Sequence, residues 1–512
     1  MSEVARRANT LAAESQQHIR QEQYMHQAMP SSNIVHQQAN LASHKLPQQI
    51  SQIFLSNFER HVWPLLSLPH LSPARLRATP PDDETVVSNA LTDIALAIGI
   101  QLHASSLTAS QTANAAQGKI YRACFESDDT RRQQQDRQAE DVKVWLDDEQ
   151  CRAYAVNMVR SRGSKIGEKS CDSVLEDLLL FHFYSIRGEH CAASDCAARA
   201  RRAVLRLQDS WRGEAGWTEN EARYLWRRVE DADWQSPVSH ATGPYPSQLA
   251  GEPLVQLDDS PSRTVDDAFH ALSHLLSRSL TPGDMPNDLL LSRFRASIPE
   301  SLAFSLKNDW MDKNEAGATG WINETSIDRS QPSLKVSMCL GVCFARLLTA
   351  IKPLVDGYKG DGMTGEEPRR CYETASAMTS ATILALNLFP DIAAEALRYA
   401  HHSVAAAWSM AVASKRMSSE VGNVLGKQVQ DVRQLADLLD SVSGTKNCRF
   451  ATLMRQAADF MEDTLEVDLE ELAKQGKLRR LMLGDTTVSV PTVNPAGNPV
   501  DASTAKVGPT SR

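Results

Sequence analysis

The chain has 512 residues, 42% of them hydrophobic and 23% charged, a balance that excludes a disordered polymer and supplies apolar mass for a large core. A formal net charge of −9 excludes a general electrostatic grip on a phosphate backbone, so any nucleic-acid contact has to be local. The nine cysteines lack the framework of a small disulfide-rich domain and fit reduced thiols in a cytosolic or nuclear compartment.

The opening MSEVARRANTLAAESQQHIRQ has no apolar signal core, and no uninterrupted apolar run reaches the roughly 18 residues of a membrane span. Secretion and membrane contact are not expected. Residues 1–46 are polar, with repeated Gln-Gln steps and no sustained apolar face, and read as a Gln-rich disordered arm. From Leu46 a helical pattern begins, with Ile53, Phe54, Phe58, Val62 and Leu65 on one face, a bend at Trp63-Pro64 and a stop at Pro69. PPDDETVVSNALTDIALAIGIQL predicts a helix capped by Asp82 or Asp83, with Val87, Leu91, Ile94, Ile98 and Leu102 inward.

The charged segment Glu126 to Lys143 reads as a solvated face or loop. Ser173 to Ile186 is apolar nearly all round and belongs in the middle of a helical body, with His182 as a core histidine rather than a metal ligand. The next helix turns Ala197, Val204 and Leu207 inward and Arg199, Arg201 and Arg202 outward. Segments 240–253, 312–333 and 356–368 are dense in Gly, Pro, Asn, Asp and Ser and predict surface loops.

The last third is helical again. One helix ends at Pro390, a second opens on Asp391, a third carries Leu425, Val429, Val432, Leu439 and Val442, and a fourth carries Phe450, Leu453, Met454, Ala457, Phe460 and Met461. Residues 484–512 are poor in apolar side chains and read as a disordered tail. Alternating strand patterns do not occur, so the fold class is all-α: a large single helical body across 47–475 between disordered N- and C-terminal tails.

Enzymatic chemistry leaves no signature. Neither Asp128-Asp129 nor Asp258-Asp259 has the third carboxylate of a diphosphate-binding metal box, and Asn287 to Ser292 has the wrong length for the second box. Phosphate-binding glycine loops, His-Glu-x-x-His and Gly-x-Ser-x-Gly are missing. The pairs Cys191/Cys196 and Cys339/Cys343 read as core cysteines at helical spacing, and His401-His402 is a pair without a third ligand. No catalytic, cofactor-binding or metal-binding residue is assigned, and no cofactor is expected.

One segment, EARYLWRRVEDADW at 221–234, carries a different signal. Leu225-Trp226, Asp233 and the turn at Gly243-Pro244 stand at the spacing of a motif in the fungal-specific transcription factor domain. FLSNFERHVWPLLSLPHL, LLLFHFYSIRGEHCAASDCAARARRAVLRLQDS and CYETASAMTSATI follow that family's order. Over about residues 50 to 465 the chain therefore resembles the helical regulatory region of zinc-cluster transcription factors, with Trp234 where the family has arginine. Leu225, Val229 and Ala232 are the inward stripe of that motif's helix, and Asp233 is expected to end it.

The first 120 residues contain no cysteine, so the six-thiolate cluster that places such factors on DNA is not among them. The resemblance implies a nuclear transcriptional regulator, plausibly of a metabolic or secondary-metabolite gene cluster. It would not bind DNA specifically by itself and would work through protein partners, either a DNA-bound factor or a coregulator, with a small-molecule effector as a further option. The helix from Leu425 to Val442 and the Gln-rich arm are the expected contact elements. An all-α enzyme with an unrecognised site and a helical scaffold stand as the alternatives.

Overall fold

The computed structural model describes residues 48–66, 68, 71, 76, 86–117, 148–161, 170–207, 217–235, 265–280, 291, 293, 294, 296–299, 302, 332–356, 366–388, 397–417, 422–443 and 448–490. Of these, 86% are helical and none lies in a strand. Fifteen helices occur among the described residues. They are α1 (Gln48–His61), α2 (Trp63–Leu66), α3 (Val86–Gln117), α4 (Asp148–Ser161), α5 (Cys171–Ser185), α6 (His190–Leu207), α7 (Glu219–Gln235) and α8 (Val265–Leu280), followed by α9 (Pro332–Asp356), α10 (Glu366–Leu388), α11 (Ala400–Arg416), α12 (Gly422–Ser443), α13 (Arg449–Met461), α14 (Leu469–Lys474) and α15 (Lys477–Met482).

Helix α11 lies at the centre of the C-terminal half. Every residue from Ala400 to Ala413 is buried, and α9, α10, α12, α13 and α15 all pack on it. Small side chains make this arrangement work: Ala405, Ala406, Ala407 and Ala411 let neighbouring backbones approach, while Trp408 fills the remaining volume and donates its indole N–H to the Leu453 carbonyl at 3.1 Å. Helix α9 contains the segment Val336–Leu354, long and apolar enough on average to cross a membrane, yet 78% of it is buried against the body. It packs on α8, α10 and α11.

The N-terminal half is tied on through α3, which meets α1, α4, α5 and α12. A buried polar network fastens that junction. Gln101 and Ser105 are fully buried on α3; Ser105 Oγ donates to the Val442 carbonyl at 3.5 Å, as does Arg152 at 3.4 Å, and Arg187 donates to Gln101 Oε1 at 3.2 Å. The network doubly satisfies the Val442 carbonyl in the last turn of α12, where the helix can no longer satisfy it itself.

Several sequence expectations shift. The bend at Trp63-Pro64 separates α1 from α2, and the helix expected to end near Leu102 runs on to Gln117. Pro332 and Ser333, expected in a loop, open α9, and Glu366 to Pro368 form the first turn of α10, where proline and acids are favoured because the first N–H groups need no helical partner. Of the helix expected from Asp391, Leu397 and Arg398 are helical, a turn at Tyr399 follows, and α11 continues from Ala400.

The body also continues beyond 475. Leu478, Leu481, Met482 and Val488 are buried, so the boundary at Gly484 is displaced toward Val490. The residues expected to cap the second helix, the segment Glu126 to Lys143, the loop 240–253, most of 312–333, Asp391, the arm 1–46 and residues 491–512 lie outside the described residues.

Gly99 marks the closest approach of α1 and α3: a Cβ there would stand 1.9 Å from the Phe54 carbonyl oxygen, whereas one on the exposed Gly426 of α12 would meet nothing within 4 Å. Gly99→Ala is therefore expected to destabilise the chain by about 3 kcal/mol through overpacking. Gly426→Ala should stabilise it by roughly 0.5–1 kcal/mol through helix propensity. Urea unfolding of the two variants beside the parent checks both the contact and the contrast.

Candidate functional site

Helix α7 is built from a capped start and a mixed face. Thr218 and Glu221 form a reciprocal cap: the Thr218 N–H donates to Glu221 Oε2 at 2.9 Å and the Glu221 N–H donates to Thr218 Oγ1 at 3.3 Å. This Thr-x-x-Glu pattern was available in the sequence as a start signal. Ala222, Leu225, Val229 and Ala232 are buried at helical spacing, and Trp226 is 9% exposed beside them, as the stripe predicts.

The same helix also buries charge. Arg228, Glu230 and Asp231 are each no more than 6% exposed. Arg228 donates to Asp231 Oδ2 at 3.0 Å and to the Tyr224 hydroxyl, and its guanidinium lies 4.7 Å from the Tyr224 ring centroid. Asp231 Oδ1 stands 3.2 Å from Nδ1 of His270, itself buried on α8. Burial acts against both charges, but each partner reverses it: Asp231 is held below the usual carboxylate range by His270, with help from Arg228 and Ser273, and His270 is raised above the usual histidine value by Asp231. The result is a hydrogen-bonded Arg–Asp–His chain that ties α7 to α8 and fixes the imidazole's orientation.

The acid expected to close α7 was Asp233. The helix continues past it to Gln235, and the side chain of Asp233 lies outside the described residues. Among the described acids of α7, Asp231 is the one that pairs with α8, a role the sequence reading did not assign.

A second constellation gathers imidazoles. His190 at the start of α6 sits with its ring centroid 5.9 Å from that of His401 and 5.9 Å from that of Phe450, while His401 and His402 are 4.1 Å apart and Phe344 stacks on His402 at 3.8 Å. The pair His401-His402 thus acquires a third imidazole from a distant helix, which no local pattern announces. Gly188, at φ +72, makes room for Phe450: a Cβ there would be 2.6 Å from its ring. The arrangement is aromatic packing, since no group of three or more His, Cys, Asp or Glu among the described residues is placed to hold a metal ion.

Burial drives the His190 ring down to about 4, and its Nε2 has no hydrogen-bond partner. His182, within α5, is likewise held well below the ordinary histidine value, first by burial and then by the positive charges of Arg398 and Arg228. It is a core histidine as expected, although its Nδ1 has no hydrogen-bond partner.

The thiols are equally quiet. Burial pushes Cys196 and Cys371 up to about 12 and Cys448 to about 11, so these groups stay protonated and non-nucleophilic at neutral pH. Cys339 and Cys343 are buried on α9, but Cys191, expected in the core, is exposed, because at the first turn of α6 it lies on the face away from α5. Of the stripe Leu425, Val429, Val432, Leu439 and Val442, whose helix was expected as a partner contact, Leu425 is partly buried against the core and the other four are 1% exposed or less. The helix packs against α3, α10 and α13.

Compared with family models, curated proteins and solved structures, the chain finds no match in any of the three.

Two outcomes follow from this chemistry. Trp226→Ala is expected to cost about 3–5 kcal/mol, as for other buried large aromatics, visible as a lower denaturation midpoint; loss of function at an unchanged midpoint would contradict its packing role. Acid is expected to destabilise the fold. Between pH 6.5 and about 4 the unfolded His190 takes up a proton that the folded ring refuses, so stability falls with pH by about 3 kcal/mol across that window. His182 adds in the same direction, whereas the His270 contribution is full at low pH and is lost as pH rises through its raised value. Urea titrations at pH 7, 5.5 and 4.5 should show a shallower acid slope for His190→Phe than for the parent.

Proposed function

We propose that this chain is a transcriptional regulator of the fungal-specific class that acts in the nucleus on a metabolic or secondary-metabolite gene cluster, through a DNA-bound protein partner. The observation that carries the reading is the setting of α7. The helix bearing Leu225-Trp226 is a framework element, capped by Thr218 and Glu221 and locked to α8 through Asp231 and His270, which suits a motif whose job is to hold a regulatory body together. Action through a partner is supported by the net charge of −9 and by the burial of every described cysteine except Cys191. With the α12 stripe in the core, the Gln-rich arm is the element left to make that contact.

An all-α enzyme is the second reading, favoured by one observation: Asp231 orients the His270 imidazole from 3.2 Å, as a carboxylate orients a catalytic base. Incubating the protein with a metabolite extract separates the two. A mass change that His270→Gln abolishes in a folded protein supports the enzyme.

For the regulator, transcript profiling of a strain lacking the gene is expected to show a coherent set of altered genes. A gel-shift titration at two salt concentrations, with metal analysis of the same sample, is expected to show neither stoichiometric zinc nor a sequence-specific complex. A specific, saturable shift by the chain alone would overturn action through a partner, and an unaltered transcript profile would overturn the regulator.

A further inference from the structure

Helix α6 buries one face and leaves another to solvent. Ala193, Ala197, Ala200, Val204 and Leu207 point into the body. From Ala197 to Leu207 the only charged residues are Arg199, Arg201, Arg202 and Arg206, without an acid among them. Arg199 is committed to the fold, since its guanidinium pairs with Asp177 of α5 at 2.7 Å. Arg202 and Arg206 stay exposed and form no ion pair among the described residues; Arg202 reaches Asp177 only through space. The exposed acid of this helix, Asp195, lies two turns before Arg202.

Leu205 stands beside these two arginines. It is 43% exposed, the one large apolar side chain so exposed among the described residues. Positions 202, 205 and 206 are three and four apart from the first, so the three side chains are neighbours on one face. The helix dipole accounts for a cation in the last turn, where Arg206 sits, but not for an exposed leucine or for Arg202 before that turn.

Lysine would solvate such a face equally well. Guanidinium groups instead match planar carboxylates through paired hydrogen bonds, and arginine is enriched where proteins meet. Two arginines around an apolar side chain therefore suit a partner that brings carboxylates and an apolar group together. A nucleic acid would bring phosphates but nothing to cover Leu205, and beyond this face it would meet a chain of net charge −9.

We propose that the Arg202–Leu205–Arg206 face of α6 is a docking surface for an acidic protein segment carrying an apolar side chain, which covers Leu205 while its carboxylates pair with the two guanidinium groups. The surface stands independently of the transcriptional reading, because its assay requires neither DNA nor a target gene.

Fluorescence anisotropy with the full chain tests it. The probe is a labelled amphipathic peptide of glutamate, aspartate and leucine, compared with the same peptide carrying serine for each leucine and with a labelled DNA duplex. Saturable binding of the leucine peptide is expected, weakening as salt rises, with the serine peptide and the duplex about tenfold weaker or more. The double variant Arg202→Glu, Arg206→Glu and the single variant Leu205→Ser are each expected to weaken the leucine peptide about tenfold or more, at an unchanged urea midpoint, since all three side chains are exposed. The control is Arg223→Glu with Arg369→Glu, an equal change of charge at side chains 60% and 62% exposed on α7 and α10; it should leave binding at the parental level. No saturable binding of the leucine peptide, equal binding of the serine peptide or the duplex, or an equal loss in the control would each overturn the docking surface.

Discussion

A helix buried on every side has to be matched by its neighbours at every turn, and α11 is such a helix from Ala400 to Ala413. Alanine and serine keep its diameter small, so α9, α10, α12, α13 and α15 can all reach it, and each methyl added along it would push on a neighbour that has no free space. Trp408, the largest side chain of the stretch, fills volume left beside the alanines, and its N–H finds the Leu453 carbonyl. The positions of α13 and α15, and therefore of Arg449, Gly484 and the histidine cluster, follow from this one packing constraint.

Charge is handled in a different way on the α7–α8 side. An Arg–Asp–His chain in the interior is a poor source of net stability, because each group gives up its hydration to join it. It contributes register: Asp231 can satisfy Arg228 and His270 together only if α7 and α8 sit at one rotation and one height. His190, beside α11, follows the opposite rule: burial drives its ring down to about 4, and it serves as an aromatic packing group. What stands next to each imidazole moves His270 up and His190 down from the ordinary value.

The legible part of the sequence was periodicity. Phe54 and Phe58 on α1, Leu225 and Val229 on α7, and Phe450, Met454 and Ala457 on α13 are buried where helical spacing puts them. Helix α9 was hidden because it is apolar all round and is preceded by loop-like residues, so neither a stripe nor a clean start stood out. Asp231 was passed over because spacing alone does not announce a buried acid on an amphipathic helix: only its tertiary partner on α8 shows that it matters. His270 is 39 residues from Asp231, and the third imidazole of the cluster comes from farther still. Residues 485–490 were assigned to the tail for a related reason, since polar composition cannot reveal that Arg449 and Arg480 will satisfy the carbonyls and carboxylate of Asp485 to Val488.

Residue-resolved hydrogen exchange of the intact chain addresses the central claim, that a wholly buried α11 organises the body. Amides from Val404 to Ala413 should exchange only through global unfolding, at the slowest rate in the molecule and with the same denaturant dependence as the unfolding free energy. Amides of α11 that exchange faster than those of α1 or α7, with little denaturant dependence, would contradict the account.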